Sequence, residues 1–403
     1  MKHLLNKLIG YSFILGFAML VLGLQSCKKT EGPPSIRSVR LIDPNKRDSL
    51  FTQTTVGNII VINGSGFSGL TNIYFNGFDA PFNSAINSDT TIVLRIPSNA
   101  PTSATDPNVP NTIKVVTTHG DAVFSFKLLL PPPIVTSVSN ENAVSGTTIT
   151  VTGDKLYLTK IVFPGNKEVS TFTTNKDATQ VSVVVPSGIT TSGPLTLVGP
   201  FGTTSTIFSF ATYAAPSTGF LANFEDGDPY FGWQWWGGIK TNTGFANNTG
   251  NFIEIKPSGS INAGDNSWYG NNRAAMVAGA PWMSASELAT AAIQNYALKF
   301  EINVKNPWSV GSLQIAANGN FSYLARYAPW ESASSGTYQT SGWETVTIPL
   351  TSFLKSGAPA STITTLTGGT NSATIQIMLY NDSTKPLSGF DAAIDNVRVV
   401  KIK

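Results

Sequence analysis

All eight tryptophans of this 403-residue chain lie between Trp233 and Trp343. Several sit in Gly-, Asn- and Ser-rich stretches where a core residue is not normally placed, above all Gly264-Asp-Asn-Ser-Trp268-Tyr269-Gly-Asn-Asn272. A flat ring on such a loop suits one kind of ligand. The ring covers the apolar C–H face of a sugar while neighbouring amides and carboxylates bond its hydroxyls. Trp268 and Tyr269 lead the candidates, with Asn266, Asn271, Asn272 and Arg273 around them. Trp308 and Trp330 each follow a proline near a strand end and join the set. In Trp233-Gln-Trp-Trp236, strand alternation puts Trp233 and Trp235 on one face and Trp236 on the other, and Trp235 and Trp236 are the ligand candidates there. Trp282, beside a helix start, and Trp343, at a strand start, read as packing.

Other chemistries are poorly supplied. The chain has only His3 and His119 and a single cysteine, so no His/Cys metal cluster can be assembled. Glu225, Asp226, Glu254, Asp265, Glu301, Glu331, Glu344 and Asp395 could provide the carboxylate pair of a glycoside hydrolase, but no two form a recognisable acidic pattern on one strand. A β-glucan-active hydrolase or lyase therefore stands as the alternative, and a protein-binding adhesin as a third reading. Glu225, Asp226 and Asp395 could share a structural calcium, which takes hard oxygen ligands. Charged residues make up 12% of the chain, about half the usual share, so the surface is polar without being ionic.

The elements that must carry these rings begin with an export signal. Residues 1–26 combine Lys2 and Lys7 with the apolar run Leu8–Leu24, and Cys27 sits where a bacterial lipoprotein is cleaved and lipidated, in a stretch that resembles a lipobox. Cleavage there removes two of the 26 basic residues, leaving 24 against 23 acidic ones, which argues against a nucleic-acid partner. Residues 27–34 form a short polar tether.

Two similar units follow, over 35–130 and 131–213. Ile36-Arg-Ser-Val39 lies over Val135-Thr-Ser-Val138, and Val56–Phe67 over Ser145–Leu156. Ile73-Tyr-Phe-Asn-Gly77 matches Ile161-Val-Phe-Pro-Gly165, and Val93–Pro97 matches Val183–Pro186. Short alternating segments broken by Gly, Asn and Pro turns, at this unit length, indicate immunoglobulin-like sandwiches. Pro131-Pro-Pro133 makes a stiff joint between them.

A third domain is placed at 219–403. It opens on Phe220–Gly227, closes on Phe390–Val400, and alternates apolar and polar residues through Ala297–Val304, Gly342–Leu350 and Thr374–Tyr380. A single helical piece is predicted from Ser284 to Ala292, with Ser284 and Glu287 as a capping box. The whole reads as all-β, two tandem immunoglobulin-like sandwiches followed by a larger jelly-roll β-sandwich.

The paired units resemble IPT/TIG repeats, in their "P-x-I-x-S-V", "G-x-x-I-T-V-x-G-x-x-F" and "V-x-F-x-G" stretches. With the lipoprotein signal and the Trp-rich third domain, the arrangement resembles the surface glycan-binding proteins of Bacteroidetes polysaccharide-utilisation systems, in particular those with a xyloglucan-binding C-terminal domain. That resemblance implies a non-catalytic lipoprotein anchored in the outer membrane at the cell surface. It also implies capture of a neutral plant glycan, xyloglucan or another β-glucan, for a TonB-dependent transporter and its lid lipoprotein. Three ring platforms, each removing ~80–100 Å² of apolar area at ~25 cal/mol per Å², supply ~6–8 kcal/mol before association costs, which predicts micromolar-to-millimolar binding.

Overall fold

A computed structural model describes residues 32–43, 45, 50–211, 218–228 and 237–403. Cys27, Trp233, Trp235 and Trp236 lie outside the described residues. The protein is all-β and divides between Leu130 and Pro131 into two compact units.

In the first unit, Ser35–Leu41, Ile59–Ser65 and Thr91–Arg95 form one sheet. Phe78–Asp79, Leu70–Phe75, Thr112–Thr117 and Gly120–Ser125 form another. Alternation decides which side chains enter the core: Ile113, Val115 and Thr117 are buried while Thr112, Lys114 and Val116 are only partly covered. Ile60, Ile62, Ile73, Phe75 and Phe126 fill the interior.

The second unit starts with a sandwich of the same plan. Ile134–Val138, Thr148–Asp154, Gln180–Val184 and Phe172–Thr174 form one sheet, and Lys167–Val169, Lys160–Phe163, Thr196–Gly199 and Gly202–Ser205 form the other. The likeness extends to an irregularity. In both copies the first strand slips register against its partner, between Ile36 and Ser38 and between Val135 and Ser137. A glycine stands opposite each slip, because a Cβ on Gly64 would lie 1.9 Å from the Ser35 carbonyl oxygen, and one on Gly153 1.9 Å from that of Ile134.

The remaining strands build a larger sandwich. One sheet runs Ile239–Thr241, Phe252–Ile255, Ala392–Lys401, Tyr296–Val304, Glu344–Pro349, with Phe220–Ala222 also paired to Ala392–Lys401. The other runs Ala274–Pro281, Ser372–Tyr380, Ser312–Ala317, Leu324–Tyr327, Leu354–Lys355, Ala358–Pro359. Leu298, Phe300, Ile302, Ile315, Ile377 and Ile394 meet between them in one core. The predicted helix is a single turn, Ala285–Leu288, with the Ser284 hydroxyl accepting from the Glu287 N–H as expected. Glu287 does not complete the capping box, since its carboxylate accepts from the Tyr296 hydroxyl at 2.7 Å. A second short helix, Ile363–Thr367, has no counterpart in the sequence reading. Its Thr-rich run carries little helix propensity, and it holds by a Thr362 cap, a left-handed Gly368 and the burial of Ile363 and Leu366.

The second repeat and the larger sandwich share a buried ionic seam. Arg398 donates to both oxygens of Glu301 at 2.8 Å and to Glu141 at 2.8 Å, and Lys299 pairs with the other Glu141 oxygen. Asn142 donates to Glu301 at 2.9 Å, and Thr345 to Glu301 at 2.8 Å. The seam holds two cations and two anions, so its net charge is zero.

Candidate functional site

Strand register builds a face on the outside of the second sheet of the larger sandwich. Ala274, Met378, Gln314 and Arg326 stand side by side in one row across four strands, and Met276, Gln376, Ala316 and Leu324 in the next. The alternate residues Ala275, Ile377, Ile315 and Ala325 point into the core. Ala274 and Ala316 carry only methyl groups, and Trp268 packs on them together with Met378.

Trp268 is half-buried. Phe321, from the turn between Ser312–Ala317 and Leu324–Tyr327, lies near-parallel to it at 25° with ring centroids 5.9 Å apart. Tyr269 meets it edge-on at 6.1 Å and is 68% exposed; Phe321 is 43% exposed. Three contiguous rings thus form a shelf whose outermost members are open to water. Adjacent rings with open faces suit a long chain laid along a surface.

A polar array occupies the same sheet face. Arg326 donates from its two terminal nitrogens to both oxygens of Glu331 at 2.8 Å, and from Nε to Asp382 at 2.7 Å. Asp382 also accepts from the Ser312 hydroxyl at 2.8 Å. Burial works to raise the Asp382 pKa, but the bonds from Arg326 and Ser312 outweigh it and hold the carboxyl below its usual range. The array is pre-arranged, with fixed donors and acceptors beside the rings.

The structure relocates several residues singled out in the sequence. Trp308 is a correction: it is 1% exposed, and its N–H donates to the Val310 carbonyl at 2.7 Å. A backbone bridge to Tyr338 draws it under the sheet, edge-on to Phe390 at 5.1 Å. Trp330 is half-buried against the core with its N–H committed to the Gly311 carbonyl at 2.9 Å, and it borders the polar array through its neighbour Glu331. Trp282 and Trp343 are packing residues, bonded to the Ala373 and Ala246 carbonyls respectively. Phe321, Gln314, Arg326 and Asp382 were not singled out. Phe321 could have been, since Asn318-Gly-Asn-Phe321 carries the same aromatic-in-a-polar-turn signal as Trp268.

The three carboxylates expected at a calcium site each have protein partners. Asp226 is paired with Lys240 at 2.7 Å, Glu225 accepts from the backbone and side chain of Asn251, and no group of three His, Cys, Asp or Glu suited to a metal occurs among the described residues. Asp395 is enclosed, taking hydrogen bonds from Thr249 at 2.8 Å and the Asn396 N–H at 2.7 Å. Burial, with Glu301 and Glu225 nearby, pushes its pKa well above the usual carboxylate value. A raised folded pKa means that the fold favours the protonated form. The stability it contributes is complete below the unfolded carboxyl pKa and lost as pH rises through the folded value. Asp395→Asn is therefore expected to raise the melting temperature at pH 7, with the gain shrinking towards pH 4. A lower melting temperature at pH 7 would count against this assignment.

Residues 214–401 match the family model for the surface glycan-binding protein B xyloglucan binding domain. An IPT/TIG domain-containing protein of Bacteroides ovatus is 26% identical over 212 residues, which is 48% of this chain and 43% of that relative, so the match spans less than half of the relative's length. The crystal structure of surface glycan-binding protein PbSGBP-B from Prevotella bryantii superposes with a TM-score of 0.67 at 21% identity, over 92% of this chain and 99% of that one. SGBP-B from a complex xyloglucan utilization locus in Bacteroides uniformis gives a TM-score of 0.52 at 20% identity, again over 92% and 99%. At these identities the two structures establish a common fold.

Proposed function

We propose, proceeding from a C-terminal region that matches the xyloglucan-binding domain of surface glycan-binding proteins, that this protein is a non-catalytic surface polysaccharide-binding protein. The ligand is a neutral plant glycan, xyloglucan or another β-glucan. The observation that carries the reading is the exposed Trp268–Tyr269–Phe321 shelf within the matched region, beside a fixed array of hydrogen-bonding groups. Stacking supplies affinity and the array orients the sugar hydroxyls. Nothing in the arrangement supplies a nucleophile with a partnered base, and Glu331 and Asp382 both bond the same guanidinium instead of flanking an open space.

The signal-like N-terminus and Cys27 support lipid anchorage in the outer membrane, with the two immunoglobulin-like repeats as spacers. In that position the protein would hand polysaccharide to a TonB-dependent transporter and its lid lipoprotein. Affinity electrophoresis of the mature chain against a panel of plant polysaccharides tests the core of this reading. Retardation by a neutral β-glucan, with no reducing sugar released over hours, is expected. Retardation by none of the panel, or steady release of reducing ends, would overturn it.

A further inference from the structure

The loop that carries Trp268 and Tyr269 is fastened at both ends by groups distinct from the rings. Asn381 is fully buried, and its side-chain nitrogen lies 3.0 Å from the Ile261 carbonyl and 2.8 Å from those of Asn262 and Lys385. Its backbone N–H donates to the Asp265 carbonyl at 3.0 Å, and the Gly264 N–H to Ser383 at 3.1 Å. Asp265 takes the Ser267 N–H at 2.8 Å on one oxygen and Arg273 at 2.9 Å on the other, and Arg273 also reaches the Ser267 carbonyl at 2.8 Å. The far end turns through two successive left-handed residues, Asn271 and Asn272, each with φ of 55°. The Asn271 side-chain oxygen accepts from both the N–H and the hydroxyl of Ser258, at 2.8 and 2.6 Å.

A free glycine- and asparagine-rich loop of this length would sample many states, and binding would carry the cost of ordering it. Here the ordering is done by the fold. We propose that Asn381, the Asp265–Arg273 pair and Asn271 are positioning residues for glycan capture, holding Trp268 and Tyr269 in shelf geometry before the ligand arrives. This rests on the reading of Trp268 and Tyr269 as the binding platform. Affinity then depends on side chains that act only through the rings.

The experiment measures affinity of the full chain for one neutral β-glucan, with melting temperature alongside, in single and combined variants. Asp265→Asn is expected to weaken binding about tenfold, and Asn271→Gly, which keeps the left-handed turn and loses only the Ser258 anchor, about threefold. In a background carrying both Trp268→Ala and Tyr269→Ala each should change affinity by less than about twofold, because a brace then has no ring left to place. Asp265→Glu should restore part of the loss. If Asp265→Asn does not fold, Asn271→Gly, at the exposed end of the loop, decides the matter alone. A loss undiminished in the background lacking both rings, or no loss in a folded brace variant when Trp268→Ala by itself is impaired, overturns the positioning role. Unchanged binding in Trp268→Ala itself would instead bring down the platform reading.

Discussion

Arg398→Met will destabilise the 131–403 unit by about 3–5 kcal/mol, the usual cost of removing one partner from a buried ion pair. The guanidinium is 3% exposed and provides two of the bonds to Glu301 and one to Glu141. Without it, Glu301 keeps hydrogen bonds only from the uncharged Asn142 and Thr345, and Lys299 is left as one buried cation for the two carboxylates of the seam. Methionine fills much of the volume, so the loss isolates electrostatics from a cavity. Chemical denaturation checks it, with Lys160→Met as a control: the exposed Lys160–Glu168 pair should contribute less than about 1 kcal/mol. A loss below 1 kcal/mol for Arg398→Met would show that the seam is dispensable. The seam also makes the second repeat more than a spacer. A fragment lacking Glu141 and Asn142 leaves Lys299, Arg398 and Glu301 without their cross-domain partners, so residues 219–403 alone should be less stable than residues 131–403.

Trp268→Ala is expected to weaken glycan binding by roughly thirty- to seventyfold. If a sugar ring covers ~80–100 Å² of the indole, the lost burial at ~25 cal/mol per Å² is ~2–2.5 kcal/mol. The indole also supports its neighbours: Tyr269 and Phe321 both contact it, and removing it takes away the surface against which each is held. Isothermal titration with a β-glucan oligosaccharide measures the effect. Trp308→Ala should behave differently, with a large fall in stability and the lost affinity explained by unfolding, because that ring is core.

What the sequence made legible was local. Period-two alternation located the strands Tyr296–Val304 and Ser372–Tyr380, and the repeated glycines Gly64 and Gly153 marked equivalent positions in two copies, since each is enforced by a carbonyl that leaves no room for a Cβ. Trp268 and Tyr269 stood out because their neighbours in sequence are polar, although Trp268 also packs on Ala274, Ala316 and Met378. The misreadings were non-local. Trp308 follows a proline just as Trp330 does, and only a bridge to Tyr338, thirty positions on, decides that it is buried. Glu141 finds Lys299 and Arg398 at separations of 158 and 257 residues, beyond any pattern a single chain displays. The polar array was missed for the same reason: Arg326 and Asp382 lie 56 residues apart and meet only through strand pairing.

A crystal structure of the protein with a neutral β-glucan oligosaccharide tests the central claim most directly. Pyranose rings lying across Trp268, Tyr269 and Phe321, with hydroxyls turned towards the polar array around Arg326, are the predicted result. An oligosaccharide seated elsewhere on the molecule, with those three rings bare, would contradict it.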